Sequence, residues 1–369
     1  MRSMSDTIAR LSAFRKTRGA GLSPWASDRL SEIQAFGSNP GQLRGWSYCP
    51  NNLAASAPLV VVLHGCTQTA ASYDYGSGWS RRAELEGFAV LFPEQQRNNN
   101  PNLCFNWFVP EDTRRGSGEA LSIRQMVETM ISAHDLDRRR VFITGLSAGG
   151  AMTSVMLSTY PEVFSGGAII AGLPYGIAGT MPQAFDAMRG HRGLNAKQLA
   201  SAMRGASDHS GPWPKISIWH GNADATVSPV NSELIAAQWL SAHGVTKAQA
   251  RREDGDGFSR SAWEGASGDE VVEFYNIAGM AHGAPIDTSD GFSNACPFML
   301  DVGISSTGLI ARSWGIAVDR PGGRENLEMD PGPDRFRAPM GDRRRPTETS
   351  KIGPGKVIED ALRAAGLMK

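Results

Sequence analysis

The chain has 369 residues, with 37 basic and 37 acidic side chains and a 41% hydrophobic share. That is enough chain for a full core, in one large domain or two small ones. The balanced charge offers no field for nucleic acid or an anionic membrane surface, and no apolar run reaches the ~20 residues of a membrane span. Four cysteines, Cys49, Cys66, Cys104 and Cys296, do not make a disulfide scaffold in so long a chain. No Cys or His cluster has zinc spacing, so no metal is implied. The N-terminus carries no apolar signal core. The expectation is a cytoplasmic chain, or a secreted one whose leader is absent from this sequence.

In chain order, residues 1–39 read as polar and irregular, with a short helix near 7–16. A first strand is expected at 42–49. Pro58-Leu59-Val60-Val61-Val62-Leu63-His64 is an unbroken apolar run, the mark of a strand buried on both faces. A helix at 79–86 leads to a similar strand at 88–93. In 119–134, Leu121, Ile123, Met126, Met130 and Ile131 follow helical spacing. Strands follow at 141–144, 167–171, 215–219 and 270–277, with helices at 151–157 and 232–242. Strands alternating with helices predict an α/β fold, with a mostly parallel central sheet flanked by helices. Residues 174–214 interrupt that rhythm, with helical patches at 183–189 and 196–203. They read either as a cap over a site or as a surface insertion. Residues 320–355 are dense in Pro, Gly and charge and read as a linker. In 356–368, Val357, Ile358, Ala361, Leu362 and Ala365 form one apolar helical face.

The run Val141-Phe142-Ile143-Thr144-Gly145-Leu146-Ser147-Ala148-Gly149-Gly150 carries the chemistry. A strand enters Gly-x-Ser-x-Gly and a helix leaves it, which is the nucleophile elbow of a serine hydrolase. A serine hydroxyl attacks only when a base takes its proton, so it must stand clear of the backbone. Gly145 and Gly149, without Cβ atoms, let the turn tighten.

In α/β-hydrolases the acid and then the base follow the serine. Asp224 lies just past a strand in His220-Gly221-Asn222-Ala223-Asp224 and is the candidate acid. Asp254 and Asp256 are weaker rivals in a polar, Gly-containing loop with no strand before them. Of seven histidines, His282 follows the 270–277 strand and has the right order for the base. His64 precedes the elbow, His220 reads as structural, and His134, His191, His209 and His243 lie in helical or polar stretches. The oxyanion hole needs two backbone N–H groups. Ala148, after the nucleophile, supplies one, and Cys66, in the loop His64-Gly65-Cys66-Thr67-Gln68, supplies the other. Metal binding by His64 and Cys66 is a poor alternative.

Together these residues resemble the polyhydroxybutyrate (PHB) depolymerase family of esterases. The matching blocks are Leu63–Gln68, Cys104-Phe105-Asn106-Trp107-Phe108, Gly145–Gly150, His220–Asp224, Gly279-Met280-Ala281-His282 and Asp301–Thr307, across about 42–315. The resemblance implies an α/β-hydrolase fold, cleavage of short hydroxyacid esters, and no cofactor. It implies Ser147, Asp224 and His282 as the triad and supports Cys66 as an oxyanion donor. Related sequences include acetylxylan and feruloyl esterases, which is the alternative reading. Trp107 and Asn106 are the implied substrate-binding residues, with core packing the alternative for Trp107. Cys66 and Cys104 both fall in blocks near the implied cleft, where an oxidising compartment would permit a disulfide. With neither signal core nor surface-binding domain evident, amorphous polymer, oligomers or small esters are expected as substrates rather than crystalline polymer. The expected division is 1–39 irregular, 40–318 catalytic, and 319–369 a flexible tail with a short helix. Oligomeric state is not readable.

Overall fold

The structure, a computed structural model, describes residues 29–317. The chain opens with strands β1 (Ser31–Ile33), β2 (Arg44–Tyr48) and β3 (Leu59–Leu63). Helices α1 (Ala70–Ser77) and α2 (Trp79–Glu86) lead to β4 (Ala89–Glu94). A single turn, α3 (Pro110–Thr113), precedes the long α4 (Gly118–His134) and β5 (Val141–Leu146). Then come α5 (Ala148–Thr159), β6 (Gly166–Ile170), α6 (Met181–Met188), α7 (Ala196–Arg204), β7 (Lys215–Gly221) and α8 (Val230–His243). A hairpin of β8 (Arg251–Gly255) and β9 (Phe258–Glu264) feeds β10 (Glu270–Ile277). Short strands β11 (Ala284–Ile286) and β12 (Met299–Asp301) pair separately, and α9 (Ser306–Ser313) follows.

Among the described residues the main sheet has ten strands in the order β1-β2-β4-β3-β5-β6-β7-β10-β9-β8. The six from β4 to β10 run parallel. The two at each edge are antiparallel. The parallel middle is dictated by the apolar runs, since such strands must be covered on both faces. Side-chain alternation then divides each run. Val60, Val62 and Phe142 meet Tyr73, Trp79 and Ile310 on one face. Val61, Leu63 and Ile143 meet Ile123 and Met126 of α4, Val155 of α5 and Trp239 of α8 on the other. Trp314 extends the first layer, stacked 4.9 Å from Phe142 and 5.9 Å from Trp79.

Several details differ from the sequence reading. The segment before residue 40 supplies an edge strand, β1, which pairs with β2. Helix α1 was not foreseen because Ala70-Ala71-Ser72-Tyr73-Asp74-Tyr75-Gly76-Ser77 has no apolar stripe. It is started by a reciprocal capping box between Thr69 and Ser72. The presumed loop around Asp254 and Asp256 is the β8–β9 hairpin, with Asp254 opposite Ser259. Every residue of β8 is exposed, so no hydrophobic alternation marked it. Arg260 ties it down through Glu253 and Glu273, at 3.2 and 2.7 Å. The helices expected near 7–16 and 356–368, and the tail from 319, lie outside the described residues. Among the described residues no helix is long and apolar enough to cross a membrane.

Register places the loops that matter together. Leu63 pairs with Gly145, Leu146 with Ile170, Ile170 with Trp219, and Gly221 with Ile277. The carboxyl ends of β3, β5, β6, β7 and β10 therefore share one rim, where open parallel sheets bind ligands. Between β5 and α5 the backbone passes so close to β3 that a Cβ on Gly149 would stand 2.3 Å from the Leu63 carbonyl oxygen. A Cβ on Gly145 would stand 2.4 Å from the Gly149 carbonyl oxygen. Gly149→Ala is therefore expected to lower unfolding free energy by about 2 kcal/mol or more. Urea unfolding at fixed pH measures this, and an unchanged midpoint would refute the close approach.

Candidate active site

Ser147 occupies the turn between β5 and α5 with φ 57° and ψ −116°, outside the regions ordinary residues prefer. Its N–H donates to the Ile170 carbonyl at 2.9 Å, and its own carbonyl accepts from Ala151 at 2.8 Å. The turn is thus held at both ends, and the hydroxyl is left free to face His282. Oγ lies 2.9 Å from His282 Nε2, and His282 Nδ1 lies 2.7 Å from Asp224 Oδ2. All three residues are buried, with Ser147 at 8% exposure, the most open of them.

The candidate acid and base, Asp224 and His282, come together because their loops are sewn side by side. Asn222 N–H donates to Ile277, Ala223 N–H to Met280, and Gly279 N–H to the Asn222 side chain, at 2.8–3.1 Å. Gly221 lies under Met280 so tightly that a Cβ would fall 2.1 Å from its carbonyl oxygen. Burial alone would raise the Asp224 pKa, but hydrogen bonds from His220 and His282 outweigh it and hold the carboxyl well below the usual range. Thr226 and Val227 N–H groups add bonds to Oδ1 at 2.8 and 2.9 Å. An ionised Asp224 accepts, so His282 Nδ1 donates and Nε2 keeps the lone pair that faces the Ser147 hydroxyl.

The other sequence candidates fall elsewhere. His220 Nε2 shares its one proton between the Val227 carbonyl at 2.9 Å and Asp224 Oδ2 at 3.2 Å, behind the candidate acid. His64 Nδ1 bonds the Gly65 carbonyl at 2.8 Å, and its Nε2 accepts from Gln95 N–H at 3.1 Å. It braces the loop that follows β3. The thiol half of the metal alternative is removed, because Cys66 is bonded to Cys104. Among the described residues no cluster of three or more His, Cys, Asp or Glu is arranged to hold a metal ion.

Cys66 and Ala148 both border Ser147 on the cleft wall. Ala148 is the first residue of α5, where an N–H has no intrahelical acceptor. The Cys66 N–H makes no hydrogen bond to protein among the described residues. Neither N–H has a protein acceptor among the described residues, as candidate oxyanion donors require.

The cleft above them measures about 850 Å³ including its open mouth, within the size range of small-molecule sites. One wall is Trp107 and Phe108, packed edge to face at 5.2 Å. The facing wall is α6, which presents Met181, Ala184, Phe185 and Met188 at helical spacing. The interruption after β6 therefore covers the site with its first helix, while α7 docks on α8, where Gln238 donates to the Leu199 carbonyl at 2.8 Å. Sequence periodicity showed that α6 exists, but not that its apolar face looks into the cleft.

Trp107 lines the cleft and is partly packed on the core. Asn106 does not. Its side chain accepts from Asn100 at 3.0 Å and donates to Asp112 at 3.1 Å, beneath the wall. Its N–H donates to Glu119 at 2.9 Å. Asn106 is thus a brace for the Trp107 loop. No sequence signal distinguished the two roles, since Asn is polar at either place. Glu119, missed in the sequence because it opens an ordinary helix, is fully buried at the centre of this brace and also receives the Gln95 and Asn99 amides.

The profile of the esterase PHB depolymerase family matches residues 46–261. Poly(3-hydroxyalkanoate) depolymerase C of Paucimonas lemoignei is 45% identical over 78% of this chain and 70% of its own length. The chain belongs to the PHB depolymerase esterase family. Acetylxylan esterase A of Aspergillus oryzae is 35% identical over 61% of this chain and 75% of its own. The solved acetyl xylan esterase from Aspergillus awamori superposes with a TM-score of 0.67 at 25% identity, covering 78% of this chain and 99% of that one. The fold is that of the α/β-hydrolases, and the PHB depolymerase-type protein is a carboxylic ester hydrolase.

Burial, and then the nearby Asp112 charge, push the Glu119 carboxyl up to about 8 from an ordinary 4.5. Between those values the unfolded chain has released a proton that the folded chain keeps, so stability falls as pH rises. The Tm of wild type minus that of Glu119→Gln is expected to decline across that window, read by scanning calorimetry. A pH-independent difference would mean that Glu119 is ionised throughout.

Proposed function

We propose that this esterase hydrolyses esters of short 3-hydroxyacids, as oligoesters, amorphous polyester or small soluble esters, through an acyl-enzyme on Ser147. The observation that carries the reading is the continuous hydrogen-bonded chain Asp224–His282–Ser147 at the foot of an apolar cleft. His282 takes the Ser147 proton as Oγ attacks the ester carbonyl, and Asp224 stabilises the imidazolium that forms. The oxyanion rests on the N–H groups of Cys66 and Ala148. The alcohol departs with the proton from His282, and water, activated by the same imidazole, releases the acid. A small hollow bounded by Gln68, Leu146 and Phe298 adjoins Ser147 and His282.

The hydroxyacid preference draws support from the 45% identity to a poly(3-hydroxyalkanoate) depolymerase and from the aromatic and thioether walls, which suit an aliphatic polyester chain. The second reading, an acetylxylan or feruloyl esterase, is favoured by the structural likeness to an acetyl xylan esterase. The Cys66–Cys104 bond fits work in an oxidising compartment.

Ser147→Ala is expected to abolish release of 3-hydroxybutyrate monomer or dimer from soluble oligomers, followed by mass spectrometry, while leaving the far-ultraviolet spectrum unchanged. Asp224→Asn is expected to lower kcat by about 10⁴-fold through the wrong imidazole tautomer. Wild-type activity on acetylated or feruloylated xylan, with none on the oligomers, would transfer the assignment to the carbohydrate esterases.

A further inference from the structure

Among the residues that line the cleft, the polar ones besides Ser147 are Thr67, Asn100 and Asn102. Thr67 and Asn102 line the cleft together with Cys66. Neither side chain hydrogen-bonds to protein among the described residues, although Thr67 N–H donates to the Asn102 carbonyl at 2.7 Å. Asn100, the neighbouring polar residue, is bonded to protein by contrast. It accepts from the N–H groups of Asn102 and Cys104 and donates to Asn106. The Cys66–Cys104 disulfide clamps the loop of Thr67 to the loop of Asn102, so the two free polar groups are held on one rim.

The backbone adds a second observation. Thr67 has φ 65°, a left-handed conformation that is strained for a β-branched residue and relaxed for Gly or Asn. A strained residue on the wall of a cleft points to a use for its side chain.

We propose that Thr67 and Asn102 form a polar subsite for the C3 oxygen of a 3-hydroxyacyl group, whether that oxygen is a free hydroxyl or part of the next ester link. The proposal rests on Ser147 being the nucleophile. With the acyl carbonyl oxygen at the Cys66 N–H, the next residue along the loop is Thr67, and C3 lies two carbons from the carbonyl carbon. Thr67 can donate or accept, and the Asn102 amide offers two donors and an acceptor, so either kind of oxygen is served. An unsubstituted acyl chain has no such oxygen and would desolvate both groups without return, which is how polar pockets discriminate.

The test compares methyl 3-hydroxybutyrate with methyl butyrate, which differ by one hydroxyl, by pH-stat on the full chain. Titration with a serine-directed fluorophosphonate counts folded, reactive sites in every variant. Wild type is expected to favour the hydroxy ester in kcat/KM. Thr67→Val and Asn102→Leu are each expected to lower that ratio about threefold to tenfold, and Thr67→Ser to keep it. A wild-type ratio near one, or a ratio unmoved by both variants, overturns the subsite while leaving the esterase reading intact. Failure of wild type on both esters, with Ser147 unlabelled by the phosphonate, overturns the nucleophile assignment beneath it.

Discussion

The site depends on how closely the start of α5 approaches the end of β3. That contact leaves no space for a Cβ at Gly149 or Gly145. It forces the chain at Ser147 into an uncommon conformation, which costs on the order of 1–3 kcal/mol and must be held by its surroundings. The bond from Ser147 N–H to Ile170 supplies one restraint, and the first turn of α5 another. In return, the hydroxyl projects from the rim, Ala148 N–H is left without an acceptor, and the His64–Gln68 loop is brought alongside. One close packing contact therefore sets the positions of the proposed nucleophile and of both proposed oxyanion donors.

The positions of the proposed acid and base follow from a second constraint, the parallel pairing of β7 with β10. Because Gly221 and Ile277 are in register, the two loops that leave them run side by side and bond along their length. Asp224 and His282 are 58 residues apart in the chain, yet meet without a long side chain having to reach. The low exposure of the group strengthens each charge interaction. It also demands that every lone pair on Asp224 find a donor, which His220, Thr226, Val227 and His282 provide.

Above this rigid floor the walls are built differently. The aromatic wall is anchored from behind by the Glu119, Asn106 and Asp112 network and from the front by the Cys66–Cys104 bond. In the chain-entropy picture, a cross-link over 38 residues contributes about 4 kcal/mol. The opposite wall is a single amphipathic helix whose side chains are thioether, methyl and phenyl groups. The candidate catalytic residues thus lie on the sheet rim, and the cleft walls on elements packed over it.

Much of this was legible in the amino-acid sequence, for a physical reason in each case. Unbroken apolar runs demand two covered faces, so the parallel strands and the α/β class could be read directly. Gly145-Leu146-Ser147-Ala148-Gly149 at a strand end encodes a local turn, and local turns are written in adjacent residues. The order of Asp224 and His282 behind later strands was readable because strand ends in such a sheet share one rim. What remained hidden depends on neighbours distant in the chain. Asn106 and Trp107 are adjacent, yet one braces and the other lines the cleft, because a peptide turn sends consecutive side chains in different directions. The β8–β9 hairpin has polar faces and is stabilised by cross-strand ion pairs rather than by alternation. Which face of α6 looks inward, and that Glu119 is buried among amides, were decided only when the sheet brought those segments together.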